Sequence, residues 1–114
     1  MSAITTHVLD TSRGCPAEGV KIQLERLEAG GAWHRIGSGA TDANGRLRTL
    51  IPDGQALVPG VYRIVFDTAA YFATCGVTGF YPEVPVLFHV RDASQHYHVP
   101  LLLSPFGYST YRGS

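Results

Sequence analysis

No stretch of this sequence stays apolar for the roughly 20 residues a membrane-crossing helix needs, so a membrane-spanning chain is not expected. The segment Met1-Ser2-Ala3-Ile4-Thr5-Thr6-His7 has no basic run followed by an apolar one, which speaks against a secretory leader and makes the cytoplasm the expected compartment. Charge of one sign is missing too. Nine Lys plus Arg balance nine Asp plus Glu, and the basic residues are scattered, so nucleic-acid binding by phosphate neutralisation is not expected. A net charge near zero gives little repulsion between copies and leaves room for a specific oligomer. Cysteine is scarce: Cys15 and Cys75 are too few for a disulfide framework and lack a CxxC spacing. They read as buried or incidental reduced thiols, with one disulfide as the other state a pair allows. There is no GxSxG elbow, P-loop, GxGxxG turn or HExxH helix, so the chemistries those motifs carry lose their local warrant.

What is present is a chain of 114 residues, 45% hydrophobic, with Val, Ile, Phe and Tyr in short runs, which fits one globular domain over residues 1–114. The runs have the period of strands. Ile4 to Leu9, Val20 to Leu24 and Trp33 to Ile36 are separated by Gly, Pro, Ser or Asp. Asp42-Ala43-Asn44-Gly45 predicts a tight hairpin through positive φ at Asn-Gly, placing Arg46 and Arg48 on one side of the next strand. Val61 to Phe66 predicts a further strand. Asp67 to Gly76 predicts one short helix, capped by Asp67 or Thr68 and closed by Gly76. Val84 to Val90, His96 to Leu103 and Tyr108 to Arg112 complete about eight strands, the number and spacing of an all-β sandwich.

Within that frame a few residues carry chemistry. His96 and His98 are two apart in a predicted strand, so both imidazoles share a face. The pair alone is compatible with ordinary hydrogen-bonded surface histidines. As a zinc site it needs a third ligand, and no neighbour in sequence supplies one. His7 lies in a packed first strand. Arg46 and Arg48 are compatible with two solvated cations after a turn. The tail Tyr108-Ser109-Thr110-Tyr111-Arg112-Gly113-Ser114 keeps alternating aromatic and small groups to its last residue, which predicts a docked segment rather than a frayed one.

Three segments converge on one family: Thr5-Thr6-His7-Val8-Leu9-Asp10-Thr11, the Asn44-Gly45-Arg46 turn, and His96-Tyr97-His98-Val99-Pro100-Leu101-Leu102-Leu103-Ser104-Pro105 running on to Tyr111-Arg112-Gly113-Ser114. The chain resembles the 5-hydroxyisourate hydrolases, the enzyme branch of the transthyretin-like proteins, over essentially its whole length. The terminal Tyr-Arg-Gly-Ser is the most specific part, because hormone carriers of the same fold lack it. The resemblance implies a transthyretin-like β-sandwich that assembles as a homotetramer, a dimer of dimers, with sites in a central channel. It implies catalytic His7, Arg46 and His98, and substrate binding by His7, Arg46, Tyr111, Arg112, Gly113 and Ser114, with no metal and no cofactor. The implied reaction opens 5-hydroxyisourate to 2-oxo-4-hydroxy-4-carboxy-5-ureidoimidazoline. Two histidines suit it, because an imidazole near pKa about 6.5 serves as base or acid at neutral pH. Arg46 suits an electron-rich ring and a developing oxyanion. Two other classes compete: a carrier of small aromatic hormones, and a sandwich that binds only protein partners.

Overall fold

A computed structural model describes residues 3–114; Met1 and Ser2, part of the segment read for a leader, lie outside the described residues. In chain order the elements are β1 (Ile4–Asp10), β2 (Cys15–Pro16), β3 (Lys21–Leu27), β4 (Trp33–Ala40), β5 (Arg46–Leu47), β6 (Gly60–Phe66), α1 (Thr68–Thr74), β7 (Val84–Val90), β8 (Tyr97–Ser104) and β9 (Gly107–Thr110). One sheet runs β2-β1-β8-β9 with β5 paired to β1, and the other runs β4-β3-β6-β7. All pairings are antiparallel except β1 with β8, which run parallel with Thr5 opposite His98 and His7 opposite Pro100. Among the described residues no helix is long and apolar enough to cross a membrane.

Alternation sorts each strand between a core face and an outer face. On β1, Ile4, Thr6, Val8 and Asp10 point into the sandwich, and Tyr97, Val99, Leu101 and Leu103 of β8 meet them. Ile22 and Leu24 of β3 with Ile64 and Phe66 of β6 close the core from the second sheet. Burying each such aliphatic side chain is worth roughly 1.5–3 kcal/mol. The outer positions of the first sheet, Thr5 and His7 on β1 and His98 and Pro100 on β8, are thereby fixed by the apolar half of the same strands.

Asp10 is polar on the core face and 1% exposed. Its carboxylate accepts from the Tyr71 hydroxyl at 2.8 Å, the Ser12 hydroxyl at 2.6 Å and the Ser12 and Arg13 amides. Burial alone would raise its pKa, yet these donors outweigh it and hold the carboxyl below the usual range. Helix α1 is thus tied to the end of β1. The helix starts as expected: Asp67 caps it by accepting from the Ala70 amide, and Gly76 follows at φ +70°.

The structure departs from the sequence reading in four places. Asp42 to Gly45 does not make a hairpin, because β4 and β5 belong to different sheets. Only Gly45 takes a positive φ, of +75°, and the Asp42 carboxylate shapes the turn by accepting from the Asn44 and Arg46 amides. A side chain at Gly45 would fall on the Val8 carbonyl oxygen, so the residue also permits a close backbone approach. The strand beyond it ends at Leu47, leaving Arg48 outside, and His96 stands just before β8. The last strand stops at Thr110 rather than Arg112. The cause is Pro100, which lacks an N–H where Tyr111 would pair. The ladder resumes in the same register at His98 and Gly113.

Candidate active site

The outer face of the first sheet carries the candidate residues. His7 pairs with Arg46 in the β1–β5 ladder, so the two side chains share that face. Thr5 lies two residues before His7 and opposite His98. A cavity of about 440 Å³ opens here, lined by Thr5, Arg46, Arg48, Asp53, His96, His98 and Ser114 among others. His7 does not line this cavity but sits close enough to Arg46 and His98 to interact electrostatically with both.

Both candidate imidazoles are pushed toward the neutral form. Burial is the leading cause for each. The Arg46 guanidinium is next, and for His98 the neighbouring His7 and His96 rings add to it. Asp42 and a backbone hydrogen bond at Asn44 oppose the shift at His7, and a backbone hydrogen bond at Thr5 opposes it at His98, but neither restores the ordinary value. Among the described residues no carboxylate forms an ion pair with Arg46, so its guanidinium is available to an anionic or electron-rich ligand.

His98 is fixed on two sides. Its Nδ1 is 2.8 Å from the Thr5 hydroxyl, and the same oxygen is 3.0 Å from His96 Nε2. Gly113 packs against the ring: a Cβ there would lie 2.5 Å from His98 Cδ2 and 3.4 Å from Pro100 Cγ. The Gly113 amide donates to the His98 carbonyl at 2.8 Å. With Nδ1 occupied by Thr5, Nε2 is the nitrogen left to face the cavity.

The tail is docked, as its alternation predicts, but it divides. Ser114 lines the cavity with His98 and Arg46. Tyr111 and Arg112 do not; they border a smaller cavity of about 330 Å³ beside Phe88, Tyr97 and Val99. Arg112 lies over the Tyr97 ring at 4.6 Å and donates to Gln95 Oε1 at 2.9 Å and the His96 carbonyl at 3.3 Å. It thereby holds the backbone of His96. Tyr111 is 58% exposed.

His96 and His98, a possible metal pair by spacing, are bridged by a threonine hydroxyl, and no group of three His, Cys, Asp or Glu gathers among the described residues. Sequence reasoning missed Thr5, although strand period two already puts it on the face of His7. It also gave no part to Asp53, brought to the cavity by the irregular segment after β5.

Two packed sheets with a polar outer face, bearing two imidazoles pushed toward the neutral form, a guanidinium and Ser114, define a sandwich equipped for acid–base chemistry on a small polar ligand. The family model described as HIUase/Transthyretin matches residues 4–113. The chain belongs to that family. It is 52% identical over 113 residues to a probable 5-hydroxyisourate hydrolase of Caenorhabditis elegans, covering 99% of this chain and 82% of that protein. Its fold matches the structure of 5-hydroxyisourate hydrolase from Klebsiella pneumoniae with TM-score 0.85 and 37% identity, each chain covered completely. It also matches sea bream transthyretin in complex with thyroxine with TM-score 0.91 and 38% identity, over 97% of this chain and 94% of the other.

Proposed function

We propose that this protein is a 5-hydroxyisourate hydrolase that opens a cyclic amide C–N bond of its substrate without a metal, giving 2-oxo-4-hydroxy-4-carboxy-5-ureidoimidazoline. The observation that carries the reading is the placement of His98, Arg46 and Ser114 around one cavity with His7 alongside. Overall shape does not separate enzyme from carrier, since the transthyretin–thyroxine complex overlays with a TM-score of 0.91. Site chemistry does. A face with three imidazoles, two guanidiniums and a carboxylate is costly to desolvate against an apolar ligand and well suited to a polar oxidised purine.

In the mechanism, one imidazole takes a proton from water as the oxygen attacks the ring carbonyl. Arg46 binds the electron-rich ring and stabilises the oxyanion, and a protonated imidazole gives its proton to the departing nitrogen. The Ser114 hydroxyl completes the hydrogen-bond set in this cavity, Gly113 packs the imidazole and Arg112 clamps the tail. The biological unit is a homotetramer, a dimer of dimers, in which the outer faces of the first sheet meet around a channel. Two features of the protomer support assembly: β7 and β9 each pair on one side only, and Leu87 and Tyr108 on them are exposed.

The direct test follows ultraviolet absorbance of freshly generated 5-hydroxyisourate, corrected for spontaneous decay. Acceleration that survives exhaustive chelation is expected; loss on chelation with recovery on added zinc would contradict the mechanism. The pH dependence has a definite sign. Because burial and Arg46 disfavour both imidazolium forms, the working bases are neutral at pH 7. The expected kcat/KM is level from pH 7 to 8 and falls once acidification passes below the ordinary imidazole value of about 6.5. An optimum below pH 6 would contradict it.

A further inference from the structure

Thr5 holds one hydroxyl between two imidazoles. Its Oγ1 lies 3.0 Å from His96 Nε2 and 2.8 Å from His98 Nδ1, at a residue only 5% exposed. A hydroxyl has one proton to donate and two lone pairs with which to accept, so it cannot donate to both rings. Two arrangements satisfy all three groups. In the first, His98 Nδ1–H donates to Thr5, the hydroxyl donates to His96 Nε2, and His98 Nε2 presents a lone pair to the cavity. In the second, His96 Nε2–H donates to Thr5, the hydroxyl donates to His98 Nδ1, and His98 Nε2 presents a proton. The first makes His98 a base and the second makes it an acid. They are connected by one proton gained at His98 Nε2 and two protons shifted along hydrogen bonds already in place.

We propose that Thr5 and His96 form a proton relay that converts His98 from base to acid within one turnover, so that the transient positive charge rests on His96. The proposal deepens the hydrolase reading and rests on it. In the first half, a water O–H bond breaks and its proton bonds to His98 Nε2 while the water oxygen bonds to the ring carbonyl carbon. The Nδ1 proton passes to Thr5 Oγ1, and the Thr5 proton passes to His96 Nε2, whose Nδ1 keeps its own. His98 stays neutral and His96 becomes an imidazolium. In the second half the tetrahedral centre collapses, the C–N bond breaks with its electron pair going to nitrogen, and His98 Nε2 gives that nitrogen its proton. The relay then runs backward from His96 through Thr5 to His98 Nδ1. One water is added across one C–N bond, and the protein returns to its starting state.

Placement favours this division of charge. His98 is half-buried and faces the Arg46 guanidinium from β5 and His7 from β1. Arg48 and Asp53, from the segment after β5, line the same cavity. His96 is exposed, so water can solvate its cation. Arg112, donating to the His96 carbonyl and Gln95, fixes the backbone from which that ring extends. Thr5 and His96 are positioning residues in this scheme, acting through His98.

Steady-state kinetics of the full chain with 5-hydroxyisourate test the relay in Thr5→Val, Thr5→Ser, His96→Gln and the Thr5→Val/His96→Gln double variant. The expected result is kcat roughly tenfold to a hundredfold lower in Thr5→Val and in His96→Gln, with KM within about twofold, in the range for loss of proton-transfer assistance. Thr5→Ser is expected within about threefold of the parent, and the double variant no slower than Thr5→Val, since both changes cut one chain. Imidazole ¹⁵N spectra of the free protein are expected to show the His98 Nδ1 signal change in Thr5→Val, a readout independent of turnover and of any loss of stability. Full kcat in Thr5→Val and His96→Gln, a Thr5→Ser variant as slow as Thr5→Val, or losses that multiply in the double variant would overturn the relay while leaving the hydrolase reading intact. An unmodified protein that fails to speed 5-hydroxyisourate decay would remove both.

Discussion

His98→Asn is expected to lower kcat at least a hundredfold while the protein remains folded. The ring is held by the Thr5 hydroxyl at Nδ1 and by Gly113 across its Cδ2 edge, which leaves Nε2 to the cavity shared with Arg46 and Ser114. Removing a general base or acid costs about 10² to 10⁴ in rate, or roughly 3 to 5 kcal/mol of barrier. Asparagine keeps a polar group near Thr5 but cannot take up a proton at neutral pH. A histidine with only a structural role would show the opposite pattern, a changed melting temperature with near-parental turnover. His7→Asn belongs in the same experiment, since His7 sits outside the cavity wall of the protomer yet faces Arg46. If both variants turn over normally, the histidine mechanism is wrong.

The second large effect is expected from one added methyl group. Gly113→Ala places a Cβ 2.5 Å from His98 Cδ2 and 3.4 Å from Pro100 Cγ, closer to the ring than packed carbons come. Either the imidazole swings off Thr5 or the tail leaves its bridge at the His98 carbonyl. The first displaces Nε2, which is bonded to the crowded carbon, and the second takes Ser114 away from the cavity. A misplacement of about 1 Å can cost about a hundredfold in rate, so kcat/KM should fall by about that factor. Stability should change little, because an imidazole at the end of a flexible side chain can move without opening the core. A variant with parental kinetics would show that Gly113 has no part in setting the ring.

These two residues also show how far the sequence could be read. His98 was legible because period two sets it on the outer face of a strand whose alternate positions, Tyr97, Val99 and Leu101, are buried. The partners of the site were less so. Whether Thr5 meets His98 depends on the parallel register of β1 and β8, two strands about ninety residues apart, and nothing local in either segment encodes that pairing. The hairpin expected at Asn44-Gly45 failed for a related reason: the turn chemistry is there, but β5 pairs with β1 instead of β4. Pro100 was visible throughout, yet its effect on the tail appears only once β9 is placed beside it. Interrupting the ladder opposite Tyr111 turns an expected continuous strand into a strand, a break and a bridge.

The decisive measurement of the site is a crystal structure of the assembled protein with a non-hydrolysable analogue of the oxidised purine. The analogue is expected on the outer face of the first sheet, with His98 Nε2 within hydrogen-bond reach of the ring carbonyl region, the Arg46 guanidinium against the ring and Ser114 at its rim. An analogue bound elsewhere, with His98, Arg46 and the chain end left apart in open water in every copy, would contradict it.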